Sequence, residues 1–236
     1  MALIGILGGM GPLATVDFFE RVIELTSAAG ASCDQQHLPL LLANLPHIPD
    51  RSTAILAEGE DPLPALLDGI DMLNRTGVEL IAIPCNSAHY WYDAMCKRSR
   101  APILHIAEAC VAAIPHGTRR AAVLATGGTL ASGLYQRILE RSDIEPIVPS
   151  GATQEHIDAC IQAVKAGDLD ASAVQLEAAL AAFAARGCRA AVMGCTEIPL
   201  AARRLAAPSL QLIDSTLELA RATVSYGLAR GWNIRR

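Results

Sequence analysis

Lysine is nearly missing from this chain: Lys97 and Lys165 are the only two in 236 residues. A pyridoxal enzyme needs a lysine for its Schiff base, and neither lysine follows a strand-like apolar run. Lys97 lies in the charged run Lys97-Arg98-Ser99-Arg100, which reads as a solvated face. Aromatic residues make up 4% of a chain that is 52% hydrophobic, so the core must be built from Ala, Leu, Ile and Val. Such a core suits parallel α/β architecture, which combines apolar strands with amphipathic helices. Basic clusters stop at pairs such as Arg119-Arg120 and Arg203-Arg204, and the net charge is -5, so no electrostatic footprint for nucleic acid exists. No apolar run is long enough to span a bilayer, which excludes a membrane partner of that kind. The chain enters a strand-like run at Ala2 with no charged segment before it, so a cytoplasmic location is the expectation.

Also missing is any CxxC pair. The seven cysteines are an odd number and scattered, and Cys33, Cys96, Cys110, Cys160 and Cys188 read as small hydrophobes in a reducing compartment. Cys85 and His89 lie four residues apart, too few for a closed zinc site, and no second pair has ligand spacing. No metal is therefore expected. As a nucleophile pair, Cys85 and His89 would suit a hydrolase, but that leaves Cys195 idle, so His89 is read as a helix-face residue near a pocket.

What the chain does have is two matched stretches. Leu80-Ile81-Ala82-Ile83-Pro84-Cys85-Asn86-Ser87-Ala88-His89 is echoed by Ala190-Ala191-Val192-Met193-Gly194-Cys195-Thr196-Glu197. Each apolar run suits a strand buried on both faces and stops at a cysteine followed by polar residues. The cysteine then falls at a strand's carboxyl end, where open α/β sheets place their ligands. Asn86 or Thr196 could cap a following helix, whose dipole would lower the thiol pKa.

Strand and helix alternate along the rest. Ala2–Leu7 reads as a strand, and Gly8-Gly9-Met10-Gly11 as a tight loop. Pro12 opens a helix with Val16, Phe19, Val22 and Ile23 on its apolar face. A strand at Leu38–Ala43 leads into a Pro-rich loop over Asn44–Arg51, and Asp61-Pro62 opens a helix that stops at Gly77. A short strand near Ile103-Leu104 follows the helix after Cys85. The pattern restarts at Arg120, with Ala125-Thr126-Gly127-Gly128-Thr129 mirroring the first glycine loop. A strand at Ile144–Val148 and a helix ending near Lys165 come next. Asp170 is the expected cap of an Ala-rich helix stopped by Gly187, and a last helix is expected from about Ser215 to Arg230.

Gly8 and Gly127 are 119 positions apart, and Cys85 and Cys195 are 110 apart. Two similar offsets argue for an internal repeat, hence an α/β fold of two pseudosymmetric lobes, each a parallel sheet flanked by helices, with the active site in the cleft between them. The expected division is residues 1–100, joined by a C-terminal helix over 215–236, and residues 101–214.

Gly9-Met10-Gly11-Pro12-Leu13-Ala14 also fits the dinucleotide pattern G-x-G-x-x-G/A in a strand–turn–helix context. That site wants an acidic residue ending the second strand, and Ala43-Asn44-Leu45-Pro46 supplies none. The loop, through Met10 and Gly11, is better suited to offer backbone N–H groups to a small carboxylate.

Taken in order, Gly8-Gly9-Met10-Gly11-Pro12 with Thr15, Ile48-Pro49-Asp50-Arg51, Pro84-Cys85-Asn86-Ser87-Ala88-His89, Ala125–Thr129, Val164-Lys165-Ala166-Gly167 and Gly194-Cys195-Thr196-Glu197 resemble the aspartate/glutamate racemase superfamily. The aspartate racemase branch is the nearest likeness, and it covers nearly the whole chain. The resemblance implies a cofactor-independent amino-acid racemase that interconverts L- and D-aspartate, with glutamate second, and a homodimer. It implies that Cys85 and Cys195 are the two acid–base groups and that Arg51 and Lys165 hold the substrate's carboxylates. Met10, Gly11, Asn86, Ser87, Thr126, Thr196 and Glu197 are the other candidate substrate contacts. Ser87 departs from the usual Thr but keeps a hydroxyl. The alternatives are a related isomerase, hydantoin-type racemase or decarboxylase of another small acid, or a non-catalytic small-acid or dinucleotide-binding protein.

Overall fold

The computed structural model describes residues 2–233. Its first half runs through β1 (Ile4–Gly8), α1 (Pro12–Ala28), β2 (Leu40–Asn44), α2 (Arg51–Ile55), α3 (Leu63–Thr76), β3 (Leu80–Ala82), α4 (Tyr92–Arg98) and α5 (Ile106–Ala112). The second half comprises β4 (Arg120–Leu124), α6 (Gly127–Ala131), α7 (Leu134–Arg141), β5 (Glu145–Ile147), α8 (Ala152–Lys165), α9 (Leu169–Ala185), β6 (Ala190–Met193), α10 (Ile198–Ala202), β7 (Gln211–Asp214) and α11 (Ser215–Leu228). All pairings are parallel, in two sheets ordered β2-β1-β3 and β5-β4-β6-β7. An isolated bridge from Ile81 to Ile103 occupies beside β3 the place that β7 holds beside β6. The two lobes therefore repeat one strand order, with the first strand of each in the middle.

The inner strands are apolar on both faces because helices cover both. Every residue of β1, β3 and β6 is buried, as a parallel sheet requires. The strand expected to run up to Cys85 stops at Ala82. Pro84 has no N–H for the ladder, and the Cys85 N–H turns back onto Ile83 O at 2.8 Å.

Three local expectations change. On α1 the buried positions are Ala14, Phe18 and Val22 together with Asp17 and Arg21, while Val16 and Ile23 are 59% and 41% exposed. Val22 is buried and Phe19 packs on the core as expected, but the buried stripe contains a charged pair, so an apolar count alone misplaces Val16 and Ile23. Asp168, not Asp170, caps α9 by accepting from Ala171 N–H at 2.9 Å. The last helix ends at Leu228, and residue 1 and residues 234–236 of the expected segments lie outside the described residues.

The helix that follows each lobe's last strand packs into the other lobe. α11 buries Leu219, Ala220 and Val224 among Ile4, Ile6, Phe18 and Leu80 of the first lobe. α5 buries Ala107, Cys110 and Val111 among Ala121, Val123 and Tyr135 of the second. Asp214 caps α11 through Thr216 N–H and Leu217 N–H. Its other oxygen lies 2.8 Å from Arg21 Nη2, and Arg21 in turn pairs with Asp17 at 2.7 Å. Arg203, following α10, closes the cluster on Asp17.

Leu219 is fully buried in the first lobe although it belongs to the second half of the chain. Leu219→Ala should cost about 2–5 kcal/mol. Urea unfolding followed by circular dichroism and by Trp91 fluorescence, a first-lobe probe, should move together. A midpoint that shifts in only one signal would mean that α11 does not complete the first core.

Candidate active site

Cys85 sits just past β3, 3% exposed, with its Sγ 3.6 Å from Ser87 Oγ. Behind it, His89 holds the loop. Cys85 O lies 2.8 Å from His89 Nδ1, which must therefore carry the proton. Nε2 is then an acceptor, and Ile106 N–H donates to it at 3.2 Å. That nitrogen has no proton for Leu104 O, 3.3 Å away. Burial, then the neighbouring His105, pushes the His89 pKa down to about 4. His89 is thus a neutral bracket inside the protein, 3% exposed, and not the helix-face residue expected.

Asn86 does not cap a helix either. Its Oδ1 accepts from Tyr135 Oη at 2.5 Å and its Nδ2 donates to Ser215 Oγ at 3.0 Å, both partners lying in the second half of the chain. The side chain is 3% exposed, with both polar atoms engaged inside the protein.

Cys195 follows β6 at the corresponding place and is 8% exposed. Its Sγ donates to Glu197 Oε2 at 3.0 Å. Burial, and then the Glu197 carboxylate, push this thiol well above its ordinary range, with the Lys165 charge acting the other way. The expectation of a thiol acidified by a helix dipole fails here. α10 is only five residues long and begins at Ile198, and its Glu197 cap position makes no side-chain cap bond. Thr196 Oγ1 turns to Glu197 Oε2 at 3.4 Å instead of capping. Glu197 also reaches the first lobe, because a β-carbon placed on Gly11 would lie 3.3 Å from its Oε1.

The glycine loop is explained by packing within the chain. Gly9 has φ +95°, and a β-carbon there would fall 2.5 Å from the Leu45 backbone. Its N–H is taken by Thr15 Oγ1 at 2.9 Å, and the same hydroxyl donates to Gly11 O at 2.8 Å. With that donor used and β2 ending at Asn44 without a carboxylate, the dinucleotide alternative loses its supports.

Arg51 opens α2, next to Asp50, which caps the helix through Thr53 N–H at 2.9 Å. Arg51 Nη1 donates to Ile48 O and Pro49 O, whereas Nε is buried with no partner. One edge of the guanidinium is thus tied down and a donor is left free. Ser52 Oγ meets Thr126 Oγ1 across the lobes at 2.8 Å, and Thr126 also caps α6 through Thr129 N–H. Lys165, exposed at the end of α8, acts on groups in both lobes. Burial works against ionisation of Asp50, but the Thr53 N–H and the Arg51 and Lys165 charges outweigh it and lower its pKa.

The structure therefore joins Cys195, Thr196, Glu197 and Gly11 in one cluster and Cys85 with Ser87 in another. Met10 is buried in the first-lobe core, in the cluster that also contains Cys85. Ser52, Tyr135 and Ser215 were not among the expected residues. None of the three follows an apolar run long enough to mark a strand end, Ser215 being preceded only by Leu212-Ile213 and Asp214. Among the described residues, no group of three or more His, Cys, Asp or Glu side chains could hold a metal ion, and no helix is long and apolar enough to cross a membrane.

Two parallel sheets repeating one strand order, with a cysteine after the third strand of each, describe a racemase architecture. The chain belongs to the Asp/Glu/hydantoin racemase family, whose model matches residues 7–223. It is accordingly a racemase, an isomerase. Over 230 residues it is 30% identical to the broad specificity amino-acid racemase RacX of Bacillus subtilis, covering 96% of this chain and 99% of that one. The Picrophilus torridus aspartate racemase superposes with a TM-score of 0.81 at 28% identity, covering 99% of this chain and 100% of the other. An aspartate racemase homologue from Pyrococcus horikoshii shares the fold, with a TM-score of 0.77 at 24% identity over 97% of this chain and all of its own.

Burial also lowers the His105 pKa to about 4. The unfolded chain takes up both protons near pH 6.5, the folded one only near 4, so stability is full above the first value and falls as pH drops between them. For His89 alone the loss approaches about 3 kcal/mol. Nitrogen-resolved NMR should find both rings neutral at about pH 5.5, with His89 protonated on Nδ1. An imidazole titrating at its ordinary value at either position would break this account.

Proposed function

We propose that this racemase interconverts the enantiomers of an acidic amino acid, aspartate before glutamate, by a two-base transfer between Cys85 and Cys195 without an added cofactor. The observation that carries the reading is the matched placement of the two thiols after β3 and β6, with Cys195 already held as a protonated donor against Glu197. In the same reading, residues 1–100 with the C-terminal helix and residues 101–214 form the two walls, and the substrate lies between them.

In one direction Cys85 acts as thiolate and takes the Cα proton from one face. The C–H electron pair stays on the substrate as a carbanion conjugated with the α-carboxylate. Cys195 S–H delivers its proton to the opposite face, leaving Cys85 as thiol and Cys195 as thiolate. The reverse direction exchanges the roles. Glu197 favours the protonated form of Cys195, so the resting enzyme has Cys85 as its base. The free Arg51 Nε and the Lys165 ammonium are the donors for the two carboxylates, one from each lobe, and their fixed charge stabilises the carbanion. Ser87, Thr196 and the Met10-Gly11 backbone complete the contacts. A homodimer belongs to this reading on the strength of the resemblance.

A broader specificity, the activity named for the Bacillus relative, is the second reading. It is favoured by the exposure of Lys165, which leaves only Arg51 fixed in place.

Replacing Cys85 or Cys195 by Ala should abolish racemisation, while each variant still exchanges the α-proton of one enantiomer in deuterated buffer. Full racemisation by either variant would sink the two-base mechanism. Arg51→Leu should weaken aspartate about ten- to hundredfold, the value of one charge-assisted hydrogen bond, and neutral amino acids far less. Equal turnover of alanine and aspartate by the unaltered enzyme would decide for broad specificity and leave the two-thiol chemistry standing.

A further inference from the structure

We infer that Tyr135 is a positioning residue for racemisation, a single buried side chain that sets the spacing of the two cysteine loops. The inference rests on the two-thiol reading above. Tyr135 lies on α7 of the second lobe and is fully buried. Its hydroxyl donates to Asn86 Oδ1 at 2.5 Å, one residue from Cys85. The direction is fixed, because an amide oxygen can only accept, and Ser215 Oγ, whose hydrogen goes to Met193 O, takes the Asn86 Nδ2 donor at 3.0 Å.

The ring does the second part of the work. A β-carbon on Gly194 would fall 2.7 Å from Tyr135 Cε2 and 3.1 Å from Cδ2. The ring therefore lies directly on the backbone that leads into Cys195, where no residue with a side chain fits. A second connection runs beside it. Ser215 Oγ donates to Met193 O at 2.7 Å, at the end of β6. The loop carrying Cys85 is thus fastened to the segment leading into Cys195 twice, through Tyr135 and through Ser215, and Asn86 is the common point.

This arrangement gives Asn86 a structural task, since its Oδ1 and one Nδ2 hydrogen are engaged in the brace. It also has a geometric purpose. Two-base transfer needs both sulfurs at reaction distance from Cα on opposite faces, and a misplacement near 1 Å costs on the order of a hundredfold in rate. Every contact of the brace falls within two residues of a proposed acid or base, which is where such an error would enter. Burial keeps the Tyr135 hydroxyl protonated by raising its pKa well above the ordinary value, so it remains a donor throughout.

The test uses Tyr135→Phe, which keeps the ring on Gly194 and removes only the hydroxyl, and Ser215→Ala, which opens the other connection and leaves the ring untouched. Racemisation of aspartate is followed in deuterated buffer, per mole of folded protein, with melting temperatures measured in parallel. Both variants should lose about ten- to hundredfold in kcat with KM changed by less than about twofold. Deuterium in recovered substrate should rise relative to deuterium in inverted product, since removal by one thiol survives while delivery by the other slows. A purely structural role would lower the melting temperature and leave kcat per folded enzyme and the deuterium ratio unchanged, and that result overturns the inference. If one variant fails to fold, the other decides alone. Cys85→Ala and Cys195→Ala run alongside. If either still racemises, the two-thiol reading falls and this inference with it. If both are dead while Tyr135→Phe and Ser215→Ala keep wild-type kcat and ratio, only the inference about Tyr135 falls.

Discussion

Each lobe is closed by a helix that the other supplies, and the rest of the structure depends on that exchange. Without α11 the first lobe would expose Ile4, Ile6 and Phe18, and without α5 the second would expose Ala121 and Val123. Separating the lobes therefore strips both cores of apolar cover, at roughly 25 cal/mol per Å² exposed. The Asp17–Arg21–Asp214 cluster sits where α11 begins and adds direction more than energy. Buried ion pairs lose much of their Coulomb gain to desolvation, but Asp214 is fixed by two N–H groups as well as Arg21. A helix so anchored at its first turn enters the partner lobe in one orientation.

That rigid frame is symmetric, whereas the chemistry placed on it is not. Cys85 is backed by a neutral histidine that grips its carbonyl, and Cys195 donates to a carboxylate. Under the proposed mechanism the asymmetry divides the labour at rest, since a carboxylate beside one thiol opposes a second negative charge there. The same carboxylate lies against the Gly11 backbone of the opposite lobe. The second-lobe thiol is in this way tied to the first-lobe loop through one side chain.

Much of the frame was legible in the sequence, because parallel strands buried on both faces leave unbroken apolar runs and the repeat duplicates them. Gly77 was correctly read as a stop, and it adopts the left-handed conformation that ends α3. The errors have a common physical origin. On α1, Asp17 and Arg21 pair with each other one turn apart and with Arg203 and Asp214 far along the chain, and no hydrophobic period can show the distant partners. Asn86 and Thr196 have the chemistry of caps, but Tyr135, Ser215 and Glu197 compete for their side chains and win. β7 is four residues long and follows an irregular segment, so it gives little periodic signal. The cysteine positions were legible from strand ends alone, while their electrostatics depended on burial and on Glu197.

The repeat has a chemical logic beyond economy of sequence. Racemisation acts on two faces of one carbon, and under the proposed mechanism two lobes of repeated strand order supply one strand end to each face. A perfect twofold would nevertheless make the two thiols electrostatically alike, and then nothing would assign one proton to one sulfur. Ser87 stands opposite Glu197 when the cysteines are aligned directly, two residues after each. In the direct alignment a neutral hydroxyl 3.6 Å from Cys85 faces a carboxylate 3.0 Å from Cys195. The hydroxyl can donate to a thiolate and the carboxylate can only accept from a thiol. Under the proposed mechanism, this one differing position distinguishes a resting base at Cys85 from a resting acid at Cys195.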